Sequence, residues 1–153
     1  MLHDLLKVKK IREESAYQKV LQCKRLLAEA QQKQKDKEQA LEDYTNWRCK
    51  EERTLYDNIL NADVRQYDLC FLKQKVAAMR EKDAELEQAI EIAKNHVVET
   101  EQHLKNATEA YHKAMQAVKK FEEFTKVLDE EAAKEAERLE DIEMEEFSVR
   151  PNR

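Results

Sequence analysis

Apolar residues recur along the chain at alternating spacings of three and four, the pattern of a coiled-coil seam. One frame runs from Leu69 to Ile142 through 22 positions, of which 18 are apolar. At the chain average of 41% hydrophobic residues, about nine apolar positions would be expected. The second half of the chain is therefore predicted to be one long helix with a single apolar stripe.

The first half of the chain keeps this spacing less strictly. Ala16, Val20 and Cys23 begin a stripe that Gln34 and Lys37 interrupt before it resumes toward residue 55. The segment 31–39 contains no apolar residue at all. We expect this segment to be helical and largely exposed to water, because it has nothing to bury.

A cluster of Asn and Asp residues at 57–63 is the one concentration of turn-prone residues between these two stripes. The predicted fold is all-α, with two long helices forming an antiparallel coiled-coil hairpin and a C-terminal helical overhang. The single domain 1–153 would have helix 1 at about 3–59, a turn at about 58–63, helix 2 at about 62–146 and a disordered tail at 148–153. The alternative is one continuous rod that pairs with a second copy, since the heptad frame continues through residue 60.

Folding the chain at residue 60 predicts which residues face each other, because their numbers should sum to about 120. Lys37 then meets Asp83, and a polar pair inside a seam is a device that sets register. Arg48 and Glu51 would face leucines, which seam packing does not explain. Everything from Phe121 onward would lack a partner in helix 1, and an unpaired apolar stripe predicts a contact with another molecule.

Composition excludes most enzymatic sites. The chain has no glycine, so it cannot form P-loops, Rossmann turns or nucleophile elbows. Two histidine patterns, His96-Glu99-His103 and Glu109-His112, have metal-ligand spacing, but we expect them on exposed helix faces. A metalloenzyme would need an enclosed core, which a two-helix hairpin lacks. We predict no enzyme activity, no catalytic or metal site and no cofactor.

Charge and cysteine content limit the partners and the compartment. Residues 122–153 carry 12 acidic and 5 basic residues, which argues against nucleic acid and anionic lipid as partners. The longest apolar runs are four residues, too short for membrane insertion. Three cysteines without a CxxC pair indicate neither a disulfide framework nor a zinc site. The chain is predicted to be a cytosolic protein with reduced thiols.

Five of the ten aromatic residues lie within 28 residues around the predicted turn. Trp and Tyr are typical anchors of binding surfaces, and the tip of a thin hairpin has little core for them to fill. The alternative is that these side chains pack on each other and close the tip. The five are Tyr44, Trp47, Tyr56, Tyr67 and Phe71.

The segment 43–57, DYTNWRCKEERTLYD, resembles the YscO family of bacterial type III secretion systems, whose flagellar relative is FliJ. The family pattern is D-Y-x-x-W-R-x-x-E-E-x-x-L-[FY]-D. Residues 79–84, MREKDA, are similar to the family's L-R-E-K-E-A, with Met79 and Asp83 as the departures. The Glu-Glu-Phe at 145–147 recurs near the C-terminus of family members. Length, absence of glycine and the two-helix pattern agree across the whole chain.

The resemblance implies a stalk similar to the coiled coil of the rotary ATPase γ subunit. Such a stalk would sit in the hexameric secretion ATPase, connect it with the export gate protein and bind chaperones of translocators. It would be a monomer when free, at the cytoplasmic face of the inner membrane. The competing function is a homodimeric structural rod. The partner-binding candidates are Tyr44, Trp47, Arg48, Glu51, Tyr56, Tyr67 and Phe71 near the turn, and Phe121, Phe124, Leu128, Leu139 and Ile142 in the overhang.

Overall fold

The computed structural model describes residues 1–61 and 66–149, with side chains from residue 68 onward in the second range. Helix α1 spans Leu2–Leu60 and helix α2 spans Gln66–Val149. Neither helix contains glycine or proline, the two residues that disfavour a helix interior most. Exposed pairs four residues apart, such as Gln18 with Glu14 and Gln32 with Asp36, add hydrogen bonds along α1. The predicted all-α hairpin of two long helices is confirmed.

The observed helix ends differ in detail from the predicted ones. Asn58 to Leu60, expected in the turn, belong to α1, and the N–H of Asn61 still donates to the carbonyl of Asp57 at 3.2 Å. Residues 62 and 63 of the expected turn lie outside the described residues. The tail was expected from residue 148, yet α2 continues to Val149, and in this last turn the Ser148 hydroxyl donates to the Glu145 carbonyl at 3.0 Å.

The chain divides into two compact units, one formed by residues 1–21 with 106–153 and the other by residues 22–105. In both units, α1 lies antiparallel to α2 of the same chain, so the continuous rod is not the observed structure. A single coiled-coil domain over 1–153 stays a prediction.

The register within residues 22–105 differs from the predicted one. Arg48 contacts Asp83, Glu52 contacts Arg80, and the Tyr44 hydroxyl donates to the carbonyl of Met79. The numbers of these pairs sum to between 123 and 132 instead of 120. The predicted register is therefore wrong by about one heptad. The helix bounds agree with this displacement, since α1 ends at Leu60 and α2 begins at Gln66, which puts the midpoint beyond residue 60.

The unit formed by residues 1–21 and 106–153 shows the same offset. Lys10 Nζ lies 3.7 Å from Glu122 Oε1, and His3 Nε2 lies 3.7 Å from Asp129 Oδ1. The rings of Tyr17 and Tyr111 have centroids 5.5 Å apart. Residue numbers in these contacts sum to between 128 and 132. Helix α1 therefore reaches as far as residue 129 of α2.

This offset shortens the predicted overhang. Phe121 is half-buried under Lys9, whose Nζ lies 5.5 Å from the ring centroid, and Thr125 is buried. Leu128 is half-buried as well. The expectation that helix α2 lacks a partner from Phe121 onward is thus wrong, because the register is displaced. We use the name overhang for residues 130–149, all of which are exposed.

The core is a single seam between the helices. Every buried apolar residue in the described chain lies on the stripe predicted from the sequence. Among the described residues, none of the large side chains is completely buried, because two helices cannot enclose a side chain on all sides. The segment 31–39 is helical and exposed apart from the half-buried Gln34, as expected. The buried apolar residues are Val20, Cys23, Ala30, Leu72, Met79, Ile90, Ala93, Val97, Ala107 and Val118.

Truncation of a seam leucine should measure how much this thin core contributes to the free energy of unfolding. Leu72 is 7% exposed, whereas Ile92, on the outer face of the same helix, is 62% exposed. Leu72→Ala is expected to lower the free energy of unfolding by about 2 kcal/mol, the lower end for buried leucines, because water can enter a thin seam. Ile92→Ala should change it by no more than about 0.5 kcal/mol.

Urea denaturation followed by circular dichroism measures both values. Equal losses for the two variants would mean that burial along the seam does not govern stability.

Candidate functional site

An arginine occupies the seam of residues 22–105 and is held by ion pairs. Position 48 continues the α1 stripe between Tyr44 and Leu55, so the side chain of Arg48 is directed at α2 and is only 9% exposed. Its Nη1 donates to Glu52 Oε1 at 3.1 Å, and its Nε lies 2.6 Å from Asp83 Oδ2. Glu52 in turn contacts Arg80, with 3.3 Å between Arg80 Nε and Glu52 Oε1.

We call Arg48, Glu52, Arg80 and Asp83 the ion cluster. It contains two positive and two negative side chains, so burial of the arginine is matched in charge. The hydrogen bond with Glu52 raises the pKa of Arg48, burial opposes this, and the negative charge of Asp83 raises the pKa further. The ion pair of Arg48 with Asp83 is close, but it does not have hydrogen-bond geometry. Arg48 Nε and Asp83 Oδ1 are therefore both buried without a hydrogen bond.

Sequence reasoning missed this cluster. It paired Asp83 with Lys37, which is exposed, and reserved Arg48 and Glu51 for a partner molecule. Glu51 is half-buried at the next seam position. A signal was present in the sequence, since Arg48 and Asp83 are both charged residues at seam positions, one in each of the two segments that carry the family resemblance.

The aromatic residues near the turn have unequal environments. Tyr44 is half-buried, and its ring centroid lies 5.5 Å from that of Trp47. Trp47 is 51% exposed, and Tyr56 and Phe71 are also about half exposed. Lys75 Nζ lies 6.0 Å from the centroid of the Phe71 ring, a cation–π contact. The side chain of Tyr67 lies outside the described residues.

Trp47 and Tyr56 do not form one surface. They are nine residues apart, which is two and a half helical turns, so they lie on opposite sides of α1. Burial of Tyr44 and the contact between its hydroxyl and the Met79 carbonyl fix the ring on which Trp47 rests. Trp47 is therefore presented to solvent by a side chain that is itself part of the seam.

The overhang is a second exposed surface, within the unit of residues 1–21 and 106–153. It carries nine acidic and two basic residues. Leu139, Ile142, Met144, Phe147 and Val149 are exposed along it. Phe124 lies just before the overhang and is also exposed. Of the five candidates predicted in this region, Phe121 and Leu128 instead lie half-buried within the part of α2 that α1 covers.

The candidate metal ligands remain on the surface. His103 Nε2 lies 3.7 Å from Glu99 Oε1, and both side chains are exposed. Across residues 1–61 and 66–149, no group of three His, Cys, Asp or Glu side chains is arranged to hold a metal ion. In the same ranges, neither helix has a stretch apolar enough to cross a membrane. Cys23 is buried and Cys49 and Cys70 are exposed, all as free thiols.

Comparison with known proteins gives a match over nearly the whole chain. The family model described as Type III secretion protein YscO matches residues 2–150. The crystal structure of Type III Secretion Protein YscO from Vibrio parahaemolyticus is similar with a TM-score of 0.90 and 27% sequence identity. The similarity covers 96% of this chain and 92% of that chain. No curated protein matches this chain significantly.

The half-buried Tyr44 beside the ion cluster predicts a pH dependence of stability. Burial first, and the negative charge of Asp83 next, raise the pKa of Tyr44 above its ordinary value of 10.0. The folded state therefore keeps a proton that the unfolded state loses above pH 10, so this contribution to stability is complete below pH 10 and falls above it. When the pH is raised from 8 to 10.5, the free energy of unfolding should therefore fall less in Tyr44→Phe than in the natural chain.

The urea midpoints at the two pH values measure this difference. At pH 8 the variant should lose about 1 kcal/mol with the hydroxyl contact to Met79. Tyr56→Phe, at an exposed position, is the matched control and should follow the natural chain. The same pH dependence in Tyr44→Phe and the natural chain would contradict the assignment.

Proposed function

Because the chain belongs to the YscO family of type III secretion proteins, we propose that it is the central stalk and escort protein of a bacterial type III secretion system. Members of the YscO family are non-enzymatic structural components of that system. In this proposal the chain links the hexameric export ATPase to the export gate protein and binds the chaperones of translocators. It acts at the cytoplasmic face of the inner membrane and is an 18.2 kDa monomer when free.

The overhang is the observation that supports the stalk most directly. It is a helical segment of 20 residues that is exposed throughout, although it carries large apolar side chains. An isolated helix gains little from propensity alone and is stabilised by packing along its apolar face. We assign this face, with Leu139 and Ile142, to the ATPase ring.

The charge of the overhang indicates what kind of surface would receive it. Acidic residues such as Glu137 and Glu140 flank the exposed apolar side chains. A basic lining would therefore attract the overhang, and the attraction would weaken with salt because charges are screened beyond about 8–10 Å at physiological ionic strength.

The exposed aromatics support the escort function. Trp47, Tyr56 and Phe71 are apolar side chains held on rigid helices with about half of their surface in water. Such residues are typical of binding hot spots. Arg48 and Tyr44 bind within the hairpin, so in this proposal they hold Trp47 in place, while Trp47 contacts the gate protein or a chaperone. Glu51 and Tyr67 remain candidates of the same region.

Removal of the overhang should separate ATPase stimulation from folding. A chain ending at Asp129 keeps every contact between α1 and α2 named above, including His3 with Asp129. It should melt like the full chain and remain monomeric by light scattering, yet fail to stimulate ATP hydrolysis by the cognate ATPase. Full stimulation by the shortened chain would place the ATPase contact elsewhere.

A matched pair of point variants controls for nonspecific effects of exposed apolar residues. Leu139→Ser should reduce stimulation, and the loss should be larger at higher salt. Val98→Ser, at an exposed position within residues 22–105, should leave stimulation unchanged. Equal effects of the two substitutions would count against a specific overhang contact.

Truncation of Trp47 should weaken export while leaving the helices intact. Loss of an aromatic hot spot costs about 2 kcal/mol or more in binding, which is roughly a 30-fold rise in Kd. Binding of Trp47→Ala to purified gate protein and chaperone measures this change, with secretion as the cellular readout. Val98→Ala is the control at another exposed apolar side chain.

The two explanations of the aromatic cluster predict different results for Trp47→Ala. Helicity and melting temperature should stay near those of the natural chain if Trp47 serves binding. A large fall in melting temperature, in parallel with the loss of export, would favour aromatic packing as its main function.

A further inference from the structure

The seam of residues 22–105 can be paired in two registers that differ by one heptad. In the observed register Ala30 shares a cleft with Ala93 and His96, and Arg48 contacts Asp83. In the other register, with partner numbers summing to 120, Ala30 would face Ile90 and Lys37 would face Asp83. Both registers place apolar residues opposite apolar residues along most of the stripe, so apolar burial discriminates weakly between them.

The two registers differ in what surrounds the charged seam residues. In the observed one, Arg48 has carboxylates from both helices, and Glu52 reaches Arg80 across the seam. A shift by seven residues moves these partners about 10 Å apart along the helix axis. Arg48 would then lie opposite leucine with only Glu52 of its own helix, and Asp83 would meet Lys37.

We propose that the ion cluster selects the register of the hairpin, and that Asp83 exchanges Arg48 for Lys37 when the cluster is broken. The physical reason is the difference in burial of the two cations. Arg48 is buried, and a buried cation that loses a carboxylate is strongly destabilising. Lys37 is exposed in the observed register, so it does without Asp83 at little cost.

The ion pairs of the other unit contribute little to this selection. Lys10 with Glu122 and His3 with Asp129 are exposed at separations of 3.7 Å. Exposed pairs of this kind are weak because water solvates both charges in either register. The buried contact of Arg48 with Asp83 is therefore the stronger determinant among the ion pairs named here.

Such a selection has a consequence for any partner of the hairpin. Breaking the cluster would allow a displacement of α2 along α1 of about 10 Å. A partner that binds one register more tightly than the other would shift the population toward it. This inference rests on the seam and its charges, and does not depend on the proposed function.

Disulfide trapping can report the register directly. With Cys23, Cys49 and Cys70 replaced by alanine, two reporter chains are made, one with Ala30→Cys and Val97→Cys, the other with Ala30→Cys and Ile90→Cys. The first pair corresponds to the observed register and the second to the alternative. All three reporter positions are buried apolar residues, so the two chains are matched in the kind of change they carry.

When Lys37, Arg48 and Asp83 are unchanged, the chain with cysteines at 30 and 97 should crosslink at least tenfold faster than the chain with cysteines at 30 and 90. Arg48→Met should reverse this preference, because an apolar side chain at position 48 can pack against leucine in the alternative register while Asp83 gains Lys37. Adding Lys37→Met to Arg48→Met should restore the 30–97 preference. Arg25→Met, at an exposed arginine, is the matched control and should have no effect.

Persistence of the 30–97 preference in Arg48→Met, or loss of both crosslinks with helicity retained, would overturn the proposal. If Arg48→Met loses its helicity, a double variant that exchanges the two charges tests register selection instead. It carries Arg48→Asp together with Asp83→Arg. The exchange keeps opposite charges across the seam, and in the alternative register it would place a second cation, at position 83, against Lys37. It should crosslink at 30–97, and crosslinking at 30–90 or at neither pair would contradict register selection.

Discussion

The constraint on which this structure depends is that two helices share one seam and enclose nothing. No large side chain among the described residues is completely buried, and the apolar core is a single row of residues at spacings of three and four, each with some surface left in contact with water. In a three-dimensional core, shape complementarity selects one packing, whereas a uniform seam can slide by a heptad and recover similar contacts. Specificity must then come from the residues that break the apolar pattern.

The ion cluster shows how a charged interruption can serve the fold. Arg48 alone would destabilise the seam, because burying a guanidinium without a carboxylate partner is unfavourable. With Glu52 on its own helix and Asp83 on the other, it becomes a contact that exists in one alignment only. In the same register the Tyr44 hydroxyl reaches the Met79 carbonyl, and the Tyr44 ring lies beside the exposed Trp47. The segment 43–57, which supplies several of the predicted partner-binding residues, is thus partly an internal structural element.

Sequence periodicity was sufficient for the helices, the stripe and the water-exposed segment 31–39, because each follows from local spacing. It was not sufficient for register. A displacement of a few residues at the connection changes every facing pair, and both Lys37 and Arg48 are candidate partners of Asp83 when only seam positions are known. The overhang was predicted as an unpaired stripe, but its start moved from residue 121 to 130 for the same reason.

The interruption at residues 31–39 also affects how the paired helices respond to force. Along this segment α1 presents only polar side chains, so the apolar residues of the seam there come from α2, as Ile90 and Ala93 do. Stiffness against bending and twisting rises with the number of contacts that must be strained together. We therefore expect the helix pair to be more compliant at this segment than in the apolar stretches on either side of it, so that a torque applied to residues 22–105 would deform this segment more than those stretches.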